Sequence, residues 1–251
     1  MMKTIKMVLD VGNTEIVAAV YQDDKQIKKA KKPTADFDPL LFELWLKNLL
    51  ADNEARMIGL SCVVPRFYAT IVACCEKIAP TIIVSSANLP ELVIKAENRD
   101  ELGADFIGAY FGALSKYAAP LIIFDLGSAT KTMIVNDELE IEGVAIKPGI
   151  MQSLDAMITN IPHLPNIELG QPADIIGHNT VEAIKSGIFY GELANIKYYG
   201  ALLDEHYDFR STKILTGGYS WHFYKQLADY HHEPELLLLG INKIVDNSLG
   251  R

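Results

Sequence analysis

Apolar residues in this chain fall in short runs, and one pattern of runs occurs twice. Residues 8–20 read VLDVGNTEIVAAV and residues 123–135 read IFDLGSATKTMIV. Each is an apolar strand, an Asp-x-Gly turn with a small polar residue, and a second apolar strand. That is the pattern of a β-hairpin whose turn residues tolerate unusual backbone angles. Asp10 and Asp125 stand 115 residues apart, close to half the chain. One such hairpin is a common structural turn. Two at half-chain spacing predict two similar halves.

The stretches after each hairpin follow the same order. In the first half the patterning predicts a strand at 26–30, a helix at 38–50, a strand at 57–61, a helix at 66–78 and a strand at 81–85. A long helix at 100–118 closes that half. In the second half, strands at 120–124, 131–135 and 139–146 lead into a helix from residue 148. Helices follow at 180–204, 218–230 and 235–247, with a short strand at 213–215. A meander followed by alternation with helices predicts an α/β protein of mixed sheets flanked by helices. The joint is expected at 117–120, giving halves of 1–117 and 118–251, with ligands at strand ends or in the crevice between halves.

Composition narrows the partners. The chain has 251 residues, 49% of them hydrophobic, and 32 acidic against 23 basic residues give a net charge of −9. An acidic chain without a polybasic patch repels phosphate backbones, which argues against nucleic-acid binding, although a nucleotide needs only local amides and a cation. The longest apolar runs, such as 120–124 and 236–239, fall short of the ~20 residues of a membrane span. With no leader pattern before Asp10, a cytoplasmic protein with no membrane partner is expected. Cys62, Cys74 and Cys75 have neither disulfide nor zinc spacing and read as buried small residues. His231-His232-Glu233 resembles a metal cluster, but adjacent histidines point apart, and a loop suffices. Tyr198, Tyr199, Trp221, Phe223 and Tyr224 read as core or dimer-face aromatics, and His163 as a loop residue.

The two turns carry the chemistry. A nucleotide kinase needs backbone amides for phosphates, a carboxylate for a hydrated cation, and a base near the acceptor hydroxyl. Asp10-Val11-Gly12-Asn13-Thr14 supplies all but the base: Gly12 permits close approach of an anion, Asn13 and Thr14 add donors, and Asp10 can orient magnesium-bound water. Asp125-Leu126-Gly127-Ser128-Ala129-Thr130 offers the same parts. No G-x-x-x-x-G-K-[ST] run is present, so the P-loop route is excluded. Thr216-Gly217-Gly218, after an apolar strand, is a further place for backbone amides to face a nucleotide.

With these turns in place, the chain resembles the type III pantothenate kinases, of the superfamily of acetate kinase, sugar kinases, heat-shock chaperones and actin. The resemblance runs through seven motifs in order. They are Asp10 to Thr14 (D-x-G-N-T), Ser61-Cys62-Val63-Val64-Pro65 (S-x-V-x-P), and Leu102-Gly103-Ala104-Asp105 (G-x-D-R). Asp125 to Thr130 (D-x-G-T-A-T) and Gly143 to Gly149 (G-x-x-I-x-P-G) follow, then Asn179 to Gly187 (N-T-x-x-A-I-x-S-G) and Pro234 to Gly240 (P-x-L-x-x-x-G). It implies two duplicated ribonuclease H-like domains of the actin-like ATPase type, and transfer of phosphate from ATP to pantothenate at the start of coenzyme A synthesis. It implies Asp105 as general base, and Gly103, Ala104, Phe106 and Thr180 against the substrate. Asp10, Val11, Gly12, Asn13, Thr14, Ser128 and Gly217 would hold ATP with Mg2+, and Asp125 a monovalent cation, K+ or NH4+. A homodimer built around the helix of Thr180 is also implied.

The departures cluster on the acceptor side. Phe106 stands where the family has Arg, and a guanidinium beside the base has no apolar substitute. Ala96 and Arg99 replace an aromatic and a proline. On the nucleotide side Lys131 replaces a threonine, while Ser128 keeps the hydroxyl of its own. Phe106 leaves open a family-derived binding or regulatory protein of little activity, and a kinase of another small hydroxyl metabolite.

Overall fold

The first run folds as the hairpin it predicts. Strands β1 (Ile5–Val11) and β2 (Glu15–Gln22) pair antiparallel with Asp10 opposite Val17. Strand β3 (Lys25–Pro33) extends the meander, and β4 (Met57–Cys62) and β5 (Thr81–Ile83) add in parallel on the other edge. The computed structural model describes residues 3–89, 91–95, 97–161, 164 and 167–250. Ala96 and His163 lie outside the described residues.

Alternation sets the two faces of this sheet. Met7, Leu9 and Val11 point to one side, where they meet Phe42 and Leu46 of α1 (Pro39–Leu50) and Ile71 of α2 (Pro65–Glu76) in one buried cluster. Asp38 caps α1 by accepting from Leu41 N at 2.9 Å, with Pro39 at the first helical position, as capping preferences require. The other face is covered by α6 (Leu236–Ser248): Gly59 has no side chain, and a Cβ there would meet Ile241 and Val245. Lys6, fully buried on that face, pairs with Asp246 of α6 at 2.5 Å.

Helix α3 (Ala104–Leu114) lies against α6 at unusually close range. A Cβ on Gly240 would overlap Gly108 O, and one on Gly112 would overlap Leu236 O, so backbone meets backbone. This crossing settles where the C-terminal helix belongs. The chain divides into one unit of residues up to Lys116 plus those from Glu235 onward, and a second unit of Tyr117–Pro234. The expected halves therefore need a correction: the break falls near residue 117, but the last helix returns to the first unit.

In the second unit, β6 (Leu121–Leu126) and β7 (Ala129–Val135) form the second hairpin, and β8 (Ile141–Pro148) completes the meander. Strands β9 (Thr212–Thr216) and β10 (His231–His232) add in parallel beside β6. Strand order and direction thus match those of the first sheet. Helix α4 (Ile150–Asn160) follows β8. Helix α5 (Thr180–Tyr207) buries Phe189, Ile196 and Leu203, spaced by seven, in one cluster with Ile122, Phe124 and Leu215 of the sheet.

Two expected helices are shorter or absent. The run 100–118 contains a single 3-10 turn at Arg99–Glu101 and then α3, because Gly103 takes an extended conformation as its N-cap. The run 218–230 forms two 3-10 turns, Ser220–His222 and Tyr224–Gln226. Its burial comes from single anchors and not from a continuous stripe: Phe223 stacks on Phe189 at 5.0 Å, and Tyr230 donates to Ile196 O at 3.2 Å. Trp221 and Tyr198 are exposed. Among the described residues no helix is long and apolar enough to cross a membrane.

Candidate active site

The first turn is held from three sides. Gly12 N donates to Glu15 O at 3.0 Å, and a Cβ on Gly12 would crowd the same oxygen. Val63 N donates to Val11 O, and buried Thr34 donates from its hydroxyl to Gly12 O at 2.7 Å. The Gly12 amide is thus committed to the turn, and the exposed tip is Asn13 and Thr14. Asp10 is half-buried, and Ser61, its neighbour across β4, donates to its Oδ1 at 3.1 Å.

Sequence reasoning assigned no role to Ser61 or Thr34. Ser61 stood within a quoted motif; Thr34 had no signal at all. Ser61→Ala is expected to lower kcat/KM about tenfold or more, because a fully buried hydroxyl orients the Asp10 carboxylate. Initial rates check this, and an unchanged value would detach Ser61 from the site.

The second turn is packed more tightly. Gly127 N donates to Ala129 O at 3.2 Å, and Tyr219 N donates to Leu126 O at 2.9 Å. Gly149, the last residue of the G-x-x-I-x-P-G loop, lies against Ser128 O with no room for a Cβ. Gly217 has φ +89°, and a Cβ on it would overlap both the Leu126 backbone and Asp125 Oδ1. The Thr216-Gly217-Gly218 segment therefore seats directly on the Asp125 turn. On the other side of Asp125, Lys131 stands opposite it in the hairpin, its Nζ 2.6 Å from Asp125 Oδ2.

A cavity of about 450 Å³ opens in the first unit beside Cys62, Pro65, Ser86, Asp100, Gly103 and Ala104. Its wall is fastened by Ser86, which donates to Asp100 Oδ1 at 2.7 Å. Arg99 donates to Ser86 O at 3.0 Å and Leu89 O at 2.7 Å. Asp105 follows the lining residue Ala104 in the first turn of α3, where the positive helix end favours a carboxylate. Its Oδ1 accepts from Phe106 N at 2.9 Å, and Gly103 leaves the space this carboxylate fills. Phe106 is 7% exposed and is not among the cavity's lining residues.

Burial, helped by the Asp10 charge, pushes the Cys62 thiol above its usual range, so it stays protonated beside the site. Thr180 is exposed at the first turn of α5, whose N-cap Asn179 accepts from Glu182 N at 3.0 Å. His231 packs tilted against Tyr117, while His232 stacks on Tyr224 and meets Ser220 Oγ at 2.9 Å. Burial holds His232 below the usual imidazole range. Among the described residues no group of three His, Cys, Asp or Glu is placed to hold a metal.

Residues 6–201 match the family model described as type III pantothenate kinase. The chain belongs to the type III pantothenate kinase family. It is 31% identical over 251 residues to a type III pantothenate kinase from Brevibacillus brevis, covering 96% of this chain and 98% of that one. Among solved structures, a Baf family protein from Campylobacter jejuni matches with TM-score 0.64 at 18% identity, covering 98% of this chain and 100% of that chain. The activator of 2-hydroxyisocaproyl-CoA dehydratase from Clostridium difficile, which holds ADPNP, matches with TM-score 0.58 at 13% identity. That match covers 99% of this chain and 97% of the activator. Both are likenesses of fold. The architecture, two mixed sheets flanked by helices, is that of actin-like proteins and sugar kinases. Type III pantothenate kinases are phosphotransferases of coenzyme A biosynthesis, and this family member departs from the quoted motifs at Phe106 and Ser128.

Proposed function

We propose that this chain transfers the γ-phosphoryl group of ATP to the primary hydroxyl of pantothenate, with Asp105 as general base. The observation that carries this is Asp105 itself, on a helix N-terminus at the edge of a cavity large enough for a small acid. The substrate hydroxyl attacks the γ-phosphorus as Asp105 accepts its proton, and ADP leaves. Gly103 and Ala104 line the cavity and Arg99 stiffens its wall. Phe106 packs inward, which favours a pocket whose shape does not depend on its ring.

The donor set at Asp10 suits magnesium, which keeps most of its water and takes one or two protein carboxylates. Asp10, steadied by Ser61, would hold that hydrated ion, which neutralises phosphate charge when bound. Asn13 and Thr14 of the first turn are candidate nucleotide contacts, as are Ser128 and Gly217 at the second. Matching strand order, with Asp10 and Asp125 at equivalent places, supports reading the units as duplicated ribonuclease H-like domains. A homodimer is supported by apolar side chains left exposed on β8 and α5, namely Val144, Ile146, Tyr198 and Leu202. A cytoplasmic location accords with this metabolic role.

The test is ADP release by purified protein given ATP, magnesium and pantothenate. Release that depends on pantothenate is expected. Nucleotide binding without release would favour a binding or regulatory role, and release with another hydroxy acid alone would change the acceptor.

A further inference from the structure

We propose that the Lys131 ammonium takes the place of a monovalent cation at Asp125, so that phosphoryl transfer by this chain runs without potassium or ammonium ions. Asp125 and Lys131 are directly opposed across the β6–β7 hairpin, which places both side chains on one face of the sheet. Lys131 Nζ lies 2.6 Å from Asp125 Oδ2, and the two side chains are only 15% and 21% exposed. The other carboxylate oxygen faces Gly217, where even a Cβ has no room. A cation from solution would need the oxygen that the ammonium holds, and it would meet a like charge at contact distance. The donor set at Asp125 therefore does not suit a monovalent ion.

What such an ion would supply is one positive charge beside the second phosphate turn. Lys131 supplies that charge from the protein as a compact ammonium on a flexible stem. Its further cross-strand neighbour, Ile146 of β8, carries no charge. A tethered charge needs no binding from solution, so it is present at any salt composition. The proposal concerns the kinase reading given above, and its test is arranged so that the two fail separately.

The experiment compares potassium chloride with tetramethylammonium chloride at matched ionic strength. It measures pantothenate-dependent ADP release and the Kd of a fluorescent ATP analogue, for the wild type, Lys131→Thr and Lys131→Met. Wild-type rate and Kd are expected to agree between the salts within about twofold, as for a shared screening effect. Lys131→Thr is expected to lose about tenfold or more of its rate or affinity in the organic cation and to recover it in potassium. Wild-type dependence on potassium would overturn the proposal. So would folded Lys131→Thr and Lys131→Met proteins that behave alike in both salts. A wild type that releases no ADP in either salt would defeat the kinase reading alone, because the analogue Kd in the two salts still decides the role of Lys131.

Discussion

Replacement of Asp105 with Asn is expected to lower kcat for pantothenate by about 10²- to 10⁴-fold, the usual contribution of a positioned general base. The Kd for ATP should change little, because the turns at Asp10 and Asp125 proposed to meet the nucleotide lie on other elements. An amide keeps the size and the hydrogen bond from Phe106 N but cannot take the hydroxyl proton. Stopped-flow or coupled assays give kcat, and calorimetric titration with a non-hydrolysable analogue gives Kd. Retained turnover would remove Asp105 from the base role. Loss of both quantities would make it a structural residue of the α3 N-terminus.

The second large effect concerns folding. Gly240→Ala is expected to cost about 3 kcal/mol, at the upper end of overpacking effects, because the added methyl meets Gly108 O and cannot be moved aside by a rotamer change. For a chain of this size that corresponds to a fall in Tm of roughly 6–12 °C. Gly191→Ala on α5 is the control: nothing lies near its Cβ, and removing a helix-interior glycine should raise stability by about 0.5–1 kcal/mol. Thermal unfolding followed by circular dichroism separates the two. Equal Tm values for wild type and Gly240→Ala would show that the α3–α6 crossing tolerates wider spacing.

Legibility in the sequence follows the range of the interactions. The hairpins were readable because period-two alternation and Asp-x-Gly turns are local, and Asp38 before Pro39 marked the start of α1 in the same way. The C-terminal helix was assigned to the wrong unit because Leu236 to Leu239 say only that it is buried, not against what. Its Gly240 meets Gly108 and Gly112, 132 and 128 positions earlier, and its Asp246 meets Lys6 across 240 positions. The run 218–230 misled because its aromatic spacing resembles a helix, while its burial comes from separate side chains such as Phe223 and Tyr230.

Candidate site residues divide along the same line. Asp10, Gly12, Asp105 and Gly217 were visible as motifs, while Thr34 was not, because its hydroxyl reaches Gly12 O across a strand pairing. The Asp125–Lys131 pair was within reach. The short turn after Leu126 sets the hairpin register, and the register sets the two side chains against each other.

The central claim is that a phosphoryl group ends on the hydroxyl of pantothenate. Phosphorus NMR of a reaction containing the protein, ATP, magnesium and pantothenate tests this directly. The predicted result is a new phosphomonoester resonance that grows in proportion to ADP and is absent without pantothenate. A spectrum in which ATP stays intact, or in which ADP appears only with inorganic phosphate, would contradict it.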